Sequence, residues 1–502
     1  MLINLNFCSD IFTRLYYYFI SRFYKTKEIP SVDDVIIFSS ATVLAEKIRT
    51  KQLTSERVVS AFIERCRQVN PIVNAIIDER FDDALKDARY VDSLIQRDEI
   101  NFSELKTKKP LFGIPVTIKG SYKVKGMKFT IGIKAFAERK SQCNSLAVDL
   151  LINAGAIPIA LTNIPPACRG LETVNDIIGQ TLNPYNQKKS IGGSSGGEAA
   201  LISSGASIIG LASDSLGSIR IPSSFANIYG HKPSKGTIVT EDLRMFANSK
   251  LVDLFTVGPM CRYAEDLDLL MNVLTEGRYS PSNLIDVKSI KIYYLEEFKN
   301  VVYRVCPEIK EKISSAVKYF HETYNCEIEQ LDTEDINNFH YIFKSWSYTE
   351  LQIMFSGLCK KLEKTNIIVG TIAKICQIIM NLVLPVNEKE YCTIKSEQIE
   401  KLKRKLSTNA VLILPTYQET VFYKNQGFFK MSRIYYCAIF SILNFTATTV
   451  PVGFDAQKMP LGLQVIGAPG QDQLCIAVTR ALHKYFGGWK PPFSNTKYSH
   501  RP

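Results

Sequence analysis

Residues 192–198 read Gly-Gly-Ser-Ser-Gly-Gly-Glu, and they are the most unusual segment of this 502-residue chain. Four glycines allow backbone dihedrals and close approaches that other residues exclude. The segment lacks the lysine of a phosphate-binding P-loop. Gly192-x-Ser194-x-Gly196 matches the nucleophile elbow of α/β-hydrolases, but that elbow follows an apolar strand, and residues 185–190 (YNQKKS) are polar. A flexible linker is the remaining simple interpretation, unless the segment works with residues elsewhere in the chain.

Two other segments carry side chains that could work with Ser194. Upstream, Lys119 ends the alternating apolar run 112–118, so it is predicted to stand where a strand meets a loop. Downstream, Ser218 lies in the sequence DSLGSIRIP at 214–222. A single lysine is usually a surface residue. Lys119, Ser194 and Ser218, each within its own motif, form a much more specific set.

The periodicity of the rest of the chain predicts an α/β fold. Thr54 is a predicted N-cap for an amphipathic helix. Alternating apolar residues predict strands at 112–118 and 157–161, and the apolar run 411–414 predicts a buried strand. Residues 262–274 carry apolar residues at helical spacing. Helices and buried strands alternate without repeats or a long linker, and this order is typical of α/β proteins.

Eight long motifs occur in a fixed order along the chain. They are GIPVTIKG at 113–120, AGAIPIALTN at 154–163, TLNPYN at 181–186, GGSSGGEAAL at 192–201, GSIRIP at 217–222, GHKPSKG at 230–236, GPMCRYAEDL at 258–267 and PLGLQVIGAP at 460–469. Together they resemble the amidase-signature hydrolases, and within that family the fatty-acid amide hydrolase 2-like branch. The resemblance covers residues 38–490. It implies the amidase-signature fold, a mixed twisted β-sheet surrounded by helices in a single large domain, here assigned to residues 31–502.

The resemblance also implies a site that hydrolyses amides with a Ser-Ser-Lys triad. Ser218 would be the nucleophile, Ser194 the bridging serine preceded by a cis peptide, and Lys119 the base. Lys119 must be neutral to accept a proton, and desolvation in a closed site would lower its pKa accordingly. No histidine is needed, and no cofactor is implied.

Backbone N–H groups would form the oxyanion hole of such a site, from Ser215, Leu216, Gly217 and Ser218. Relatives usually carry glycine at the position of Leu216. If that position has a positive φ, leucine would cost about 1–2 kcal/mol and displace a donor. We therefore expect slowed catalysis that Leu216→Gly would accelerate. A second departure is Pro-Pro-Ala at 165–167, where relatives usually carry an acidic residue.

The N-terminal segment, residues 1–30, differs from the rest of the chain. Its apolar residues recur every four positions along one helical stripe: Phe7, Ile11, Leu15, Phe19 and Phe23. Charged residues at positions 10, 14 and 22 make it a poor spanning helix. A membrane anchor or interfacial helix is one interpretation, and a helix docked on the protein's own surface is the other.

Residues 367–386 form a second apolar segment, interrupted by three polar residues, Lys374, Gln377 and Asn381. A core helix and a membrane-facing cap are both compatible with this pattern. The spacing cannot choose between them, since a buried helix and an interfacial helix both carry an apolar face.

Charge and cysteine content exclude several other classes. The net charge is +12, but it is spread along the chain rather than clustered, so nucleic acid is not a predicted partner, whereas an anionic membrane surface is. Twelve cysteines occur without a C-x-x-C pair and the five histidines lack ligand spacing, so no metal is predicted. Scattered single cysteines indicate reduced, mostly buried thiols. We therefore expect an intracellular, membrane-associated protein.

Two classes of function remain open. The first is a membrane-associated serine hydrolase whose substrate is a small-molecule lipid amide, and its variants are an amidase for other small amides and an amidotransferase subunit. Relatives imply a homodimer. The second class is a lipid-amide binding protein with weak or no catalysis, and this alternative depends on Leu216.

Overall fold

The computed structural model describes residues 16–20, 22–97, 102–239, 252–298, 304–350, 387–406 and 409–493. The labelled helices are α1 (Ala41–Arg49), α2 (Ser55–Val73), α3 (Phe81–Gln96), α4 (Phe102–Lys108), α5 (Leu146–Asn153), α6 (Gly196–Ser203), α7 (Arg220–Phe225), α8 (Glu265–Leu274), α9 (Pro307–Tyr324), α10 (Glu388–Leu406), α11 (Tyr435–Ile442) and α12 (Asp472–Phe486). The strands are β1 (Ile76–Glu79), β2 (Pro115–Lys119), β3 (Ile157–Thr162), β4 (Val174–Asn175), β5 (Gly179–Gln180), β6 (Ile209–Asp214), β7 (Tyr229–Lys232), β8 (Thr256–Cys261), β9 (Lys291–Tyr294), β10 (Ile328–Gln330), β11 (Ala410–Pro415), β12 (Thr446–Phe454) and β13 (Pro460–Gly467). Residues 16–20 and 339–350 are also helical.

One large mixed sheet organises the described chain. Its eleven strands lie in the order β1-β3-β2-β6-β8-β7-β12-β13-β11-β9-β10, and β4 and β5 pair separately. The neighbours β3–β2, β2–β6, β11–β9 and β9–β10 are parallel, and the other neighbours in the sheet are antiparallel. All residues of β2, β3, β6, β7, β8, β11 and β13 are buried, so both faces of this sheet are covered. The predicted α/β class, with a mixed sheet among helices, is confirmed.

The helix predicted after Thr54 is confirmed as α2, and its cap is present. The Thr54 hydroxyl accepts a hydrogen bond from Arg57 N at 3.1 Å, which satisfies one of the free N–H groups of the first turn. The helix ends at Asn74, whose φ of 52° is left-handed. This is a common helix terminus, because asparagine tolerates that conformation better than most residues.

Two elements differ from their predicted bounds. The alternating run 112–118 becomes a strand only from Pro115, and all five residues of β2 are buried rather than every second one. The reason is its position between β3 and β6, where both faces of the strand are covered. The helix predicted over 262–274 begins at Glu265, because Arg262 lies in the turn after β8.

The topology sets the position of the candidate site. Strands β2 and β6 are parallel neighbours, with Ile118 opposite Leu211. Their last residues, Lys119 and Asp214, therefore reach the same edge of the sheet. The segments that follow β6 and precede α6 meet at this edge, which is where α/β proteins commonly place their sites.

The two apolar segments of the sequence fall largely outside the described residues. Residues 1–15 and 367–386 are not described, so the predicted N-terminal stripe can be followed only through Phe19 and Phe23. Within residues 16–24 the larger side chains are mostly exposed, Phe23 by 86%. Of the helices that the structure describes, none has both the length and the apolar character needed to cross a bilayer.

Candidate active site

Lys119 and Ser194, which are far apart in sequence, are in direct contact. The Lys119 amine nitrogen donates to Ser194 Oγ at 2.8 Å, and both side chains are fully buried. The same nitrogen lies 3.1 Å from the carbonyl oxygen of Ser213 and 3.0 Å from its hydroxyl. The Gly193–Ser194 peptide bond is cis, as the resemblance implied. These three oxygens fix the position of the Lys119 amine beside the Ser194 hydroxyl.

Close packing explains why glycines surround Ser194. A Cβ atom at Gly193 would lie 2.6 Å from the carbonyl oxygen of Gly170, and one at Gly197 would lie 2.5 Å from Asn163 N. Real Cβ atoms do not approach backbone so closely, so any other residue would displace the segment. The run is thus held in place on both sides and is not a flexible linker.

Ser218 follows β6 on a loop that the Asp214 carboxylate holds in shape. Gly217 N donates to Asp214 Oδ1 at 2.7 Å, and Ile219 N donates to Asp214 Oδ2 at 3.0 Å. Ser195 N donates to the Ser218 carbonyl oxygen at 3.2 Å, so the Ser218 loop abuts the glycine-rich run. Ser218 is partly exposed, while Ser194 and Lys119 are fully buried. An incoming molecule can therefore reach Ser218 first.

A buried ion pair fixes the base of this loop. Arg220 contacts Asp214 Oδ1 at 3.0 Å and Oδ2 at 3.1 Å. It also donates to the Cys437 carbonyl oxygen at 3.0 Å and to Ser441 Oγ at 2.7 Å. Burial would raise the pKa of Asp214, but the charge and hydrogen bonds of Arg220 outweigh it and lower that pKa to about 2. The loop is anchored by a carboxylate that stays charged at neutral pH.

Burial favours the neutral form of Lys119. Complete desolvation lowers its pKa from the ordinary value, while Cys168, Asp214 and Glu198 oppose that shift. Asp214 is already neutralised by Arg220. Burial also raises the pKa of Glu198 to about 8, so this carboxyl is largely protonated at neutral pH and does not hold Lys119 in its charged form. The environment therefore suits a lysine that accepts a proton.

The four predicted oxyanion donors are not equivalent. The Gly217 N–H is engaged by Asp214, as described above. Within the described part of the chain, the N–H groups of Ser215, Leu216 and Ser218 have no hydrogen-bond acceptor. Three of the four N–H groups therefore have no acceptor within the described residues, and the fourth keeps the loop in shape.

The prediction that Leu216 strains the oxyanion loop is wrong. Leu216 is not among the residues with positive φ, whereas Gly217 has φ of 116°. The loop thus needs glycine at only one of its two central positions, and that one is retained. The Leu216 side chain is partly buried and packs against the apolar core. The backbone at Leu216 therefore gives no reason to expect slowed catalysis.

Gly217, and not Leu216, is the position of this loop at which an added side chain should do harm. A Cβ atom there would lie 2.7 Å from Cys437 Cβ and 2.8 Å from Ile221 Cδ1, in a φ region that costs alanine about 1–2 kcal/mol. For Gly217→Ala we expect a loss of stability of at least that size in urea denaturation. We also expect kcat to fall roughly 10²-fold, because a shifted loop misplaces the neighbouring donors. In parallel, Leu216→Gly should not raise kcat. A rise in kcat for that variant would restore the strain argument.

The departure at 165–167 forms a tight turn that ends at Cys168, instead of an acidic site. Ala167 and Cys168 have positive φ values of 52° and 57°, and Ala167 N donates to Ile131 O at 2.8 Å. This bond ties the turn to the backbone at Ile131. The turn contains no carboxylate.

Sequence reasoning missed several residues that support the lysine. Ser213 accepts from the Lys119 amine, and nothing in its own motif marks it. Thr117 lies two residues before Lys119, so both side chains leave the same face of β2. Its hydroxyl lies 2.5 Å from Glu198 Oε2, and Thr162 Oγ1 donates to Glu198 Oε1 at 2.9 Å. The one signal in the sequence for Glu198 was its place inside the glycine-rich motif.

Comparison with known proteins gives a consistent result. The family model described as Amidase matches residues 57–476. Fatty-acid amide hydrolase 2-A of Danio rerio is 32% identical over 495 residues, which is 93% of this chain and 92% of that protein. Fatty-acid amide hydrolase 2 of Homo sapiens is 28% identical over 490 residues, covering 92% and 91%.

The fold shows the same likeness. The solved structure of a fatty acid amide hydrolase superposes with a TM-score of 0.75 at 20% sequence identity, covering 90% of this chain and 86% of that one. The predicted amidase-signature fold is thereby confirmed. The chain belongs to the amidase family and is an amide-hydrolysing enzyme.

Proposed function

We propose that this enzyme hydrolyses fatty-acid amides through an acyl-enzyme on Ser218, with Ser194 as the proton bridge and Lys119 as the base. The observation that carries the proposal is the 2.8 Å hydrogen bond between the buried Lys119 amine and Ser194 Oγ, next to the loop of Ser218. Stability alone does not explain a buried lysine of lowered pKa that is paired with a serine, because two apolar side chains would pack there at a lower free-energy cost.

The hydrogen bond between Lys119 and Ser194 supports the inner half of a proton path, and the transfer from Ser218 to Ser194 is part of the proposal. Ser218 Oγ attacks the amide carbonyl carbon while its proton passes to Ser194, and the Ser194 proton passes to Lys119. Free N–H groups of the loop stabilise the oxyanion. The proton returns by the same path to the leaving nitrogen as the C–N bond breaks. Water then repeats the sequence on the acyl-enzyme and releases the fatty acid.

An apolar cluster beside the nucleophile loop supports a fatty-acyl substrate. Its buried members are Leu171, Ile221, Phe225, Tyr417, Val421, Phe422, Ile434, Cys437, Ala438 and Met459. Leu216 packs against this cluster from the loop itself. An acyl chain attached to a carbonyl at Ser218 would therefore meet apolar side chains. Two relatives named as fatty-acid amide hydrolases, in Danio rerio and Homo sapiens, also support this substrate class.

The alternative, a lipid-amide binding protein with weak or no catalysis, is not favoured by the structure of the loop. That alternative rested on a strained Leu216, and Leu216 has no positive φ. Labelling with a fluorophosphonate probe, followed by hydrolysis assays on long-chain fatty-acid amides and on short-chain amides, tests the proposal. We expect Ser218 to be labelled and long-chain amides to give the higher kcat/KM. Labelling without turnover would support the binder, and preference for short acyl chains would support an amidase for other small amides.

We also propose that the enzyme is membrane-associated and intracellular, with residues 1–30 as one contact to the bilayer. The described part of this segment exposes several aromatic side chains, among them Phe19 at 57% and Phe23 at 86%. Arg22 lies over the rings of Tyr18 and Phe19, at 5.1 and 5.9 Å. Aromatic and basic side chains together suit the interface of a membrane. A homodimer remains a prediction from the relatives.

Deletion of residues 1–23 should reduce membrane binding more than it reduces activity. This end point keeps Lys27, whose backbone N–H donates to Gln187 Oε1 at 2.9 Å, so the segment that follows stays attached. We expect vesicle-bound protein to fall several-fold in co-sedimentation. The kcat on a short, soluble amide should stay within about twofold, since no residue of the site lies in the deleted part. Equal sedimentation of both forms would contradict this contact.

A further inference from the structure

Among the residues that the structure describes, Phe428 is the most exposed aromatic residue outside residues 1–30, and it lies on a loop that is distant from them in sequence. Phe428 is 86% exposed and its neighbour Phe429 is 57% exposed, and Met431 follows them at 41%. Two adjacent exposed phenylalanines are rarely found on a surface that faces only water. We call residues 423–431 the aromatic loop.

The aromatic loop adjoins the N-terminal segment. The rings of Tyr18 and Tyr423 lie 6.4 Å apart, and Asn425 Nδ2 donates to Tyr24 Oη at 3.5 Å. The Lys424 amine stands 3.9 Å above the Tyr24 ring. The two exposed aromatic groups therefore belong to one surface, although about 400 residues of chain separate them.

Glu172 holds the aromatic loop from inside the protein. Its carboxylate accepts from Asn425 N at 2.9 Å and from Gly427 N at 2.8 Å, immediately before Phe428. Charge-assisted bonds of this type are stronger than neutral ones. The base of the loop is thus fixed, and Phe428 and Phe429 are presented by a built structure rather than by an unsupported turn.

The charge around this surface fits one partner. Residues 16–27 and 420–431 contain no aspartate or glutamate, and they carry three basic residues in the first stretch and two in the second. Among these, Lys430 is buried and pairs with Glu419, whereas Arg22 and Lys424 lie at the aromatic side chains. Exposed phenylalanine with a basic rim matches the interface of an anionic bilayer, which attracts the basic groups and accepts the rings.

The loop also reaches toward the candidate site. The chain just before it is buried at Val421 and Phe422, within the apolar cluster beside the nucleophile loop. The backbone at Glu172 also lies close to the glycine-rich run, because a Cβ atom at Gly193 would lie 3.1 Å from the Glu172 carbonyl carbon. The aromatic surface and the bridging serine are therefore linked through one short, packed segment.

We propose that the aromatic loop is a second membrane-docking element. It would place the apolar cluster beside the Ser218 loop next to an anionic bilayer. The idea that this position serves entry of the acyl chain rests on the proposed function. The docking itself does not, since it depends only on Phe428, Phe429 and the surrounding charge.

The test compares Phe428→Ser/Phe429→Ser with wild type in the full-length protein. The matched control is Leu284→Ser, because Leu284 is 75% exposed on a different segment. Vesicles of phosphatidylcholine alone and of phosphatidylcholine with phosphatidylserine are used for co-sedimentation. We expect the double variant to bind the anionic vesicles at least about fivefold more weakly, and the control to match wild type. Binding should be weaker on the neutral vesicles for every form.

Several outcomes would overturn the proposal. They are unchanged binding of the double variant, an equal loss in Leu284→Ser, and equal binding to both kinds of vesicle. Activity separates this inference from the proposed function. With docking lost, hydrolysis of a long-chain amide in vesicles should fall several-fold, while hydrolysis of a short soluble amide should not change. If no form hydrolyses amides but vesicle binding still depends on the two phenylalanines, the surface stands and the proposed function fails.

Discussion

Ser218→Ala should lower kcat for amide hydrolysis by roughly 10⁴- to 10⁶-fold, the scale on which loss of a nucleophile acts in serine hydrolases. The variant should fold normally, because Ser218 is partly exposed and its backbone contacts are kept. The Ser218 carbonyl oxygen still accepts from Ser195 N, and Asp214 still holds the loop. Steady-state kinetics and a thermal melt measure the two effects.

A matched control for this variant is Ser203→Ala. Ser203 lies at the end of α6, and its buried hydroxyl has no partner among the described residues. Removing that hydroxyl should leave kcat unchanged. Fluorophosphonate labelling should be lost in Ser218→Ala and kept in Ser203→Ala. Comparable turnover by Ser218→Ala and wild type would show that another group is the nucleophile.

Lys119→Met should lower kcat/KM at neutral pH by about 10²- to 10⁴-fold, which is the usual contribution of a general base. Methionine has nearly the length of lysine, so the buried volume is largely filled while the amine is removed. Ser194 and Ser213 lose a shared donor, but their positions are also fixed by packed backbone. Wild-type rates in this variant at neutral pH would show that Lys119 is not the base.

The pH dependence of kcat/KM is a second test of Lys119 as the base. Burial lowers the pKa of Lys119, and the active form is the neutral amine. The wild-type kcat/KM should therefore rise with pH as Lys119 loses its proton, and reach a plateau above that pKa. This rise should be absent in Lys119→Met. Persistence of the same rise in the variant would assign it to another group.

The lowered pKa also predicts the sign of a stability effect. The unfolded chain holds the Lys119 proton up to a higher pH than the folded chain does. Stability therefore carries a penalty below the folded pKa, and the penalty disappears as pH rises towards the unfolded value. At neutral pH, Lys119→Met should be at least as stable as wild type. A thermal melt that shows this would separate loss of the base from loss of the fold.

Local sequence patterns were sufficient for several helices and strands. The Thr54 cap, the alternation of 157–161 and the apolar run 411–414 were sufficient to predict α2, β3 and β11, because side-chain periodicity and capping are local properties. The motifs with Lys119 and Ser194 named the lysine and the serine that the structure brings together. Their chemistry was readable because the glycine-rich run and the strand-ending lysine are unusual in themselves.

Long-range packing sets how Lys119 and Ser194 are supported and which departures from the family pattern matter. Leu216 was expected to strain the oxyanion loop, but its φ depends on how Asp214 folds that loop, and sequence does not specify that angle. The support of the lysine by Ser213, and the hold of Glu172 on the aromatic loop, join segments that are distant in the chain. Such contacts follow from the order of strands in the sheet and from long-range packing, which no local pattern encodes.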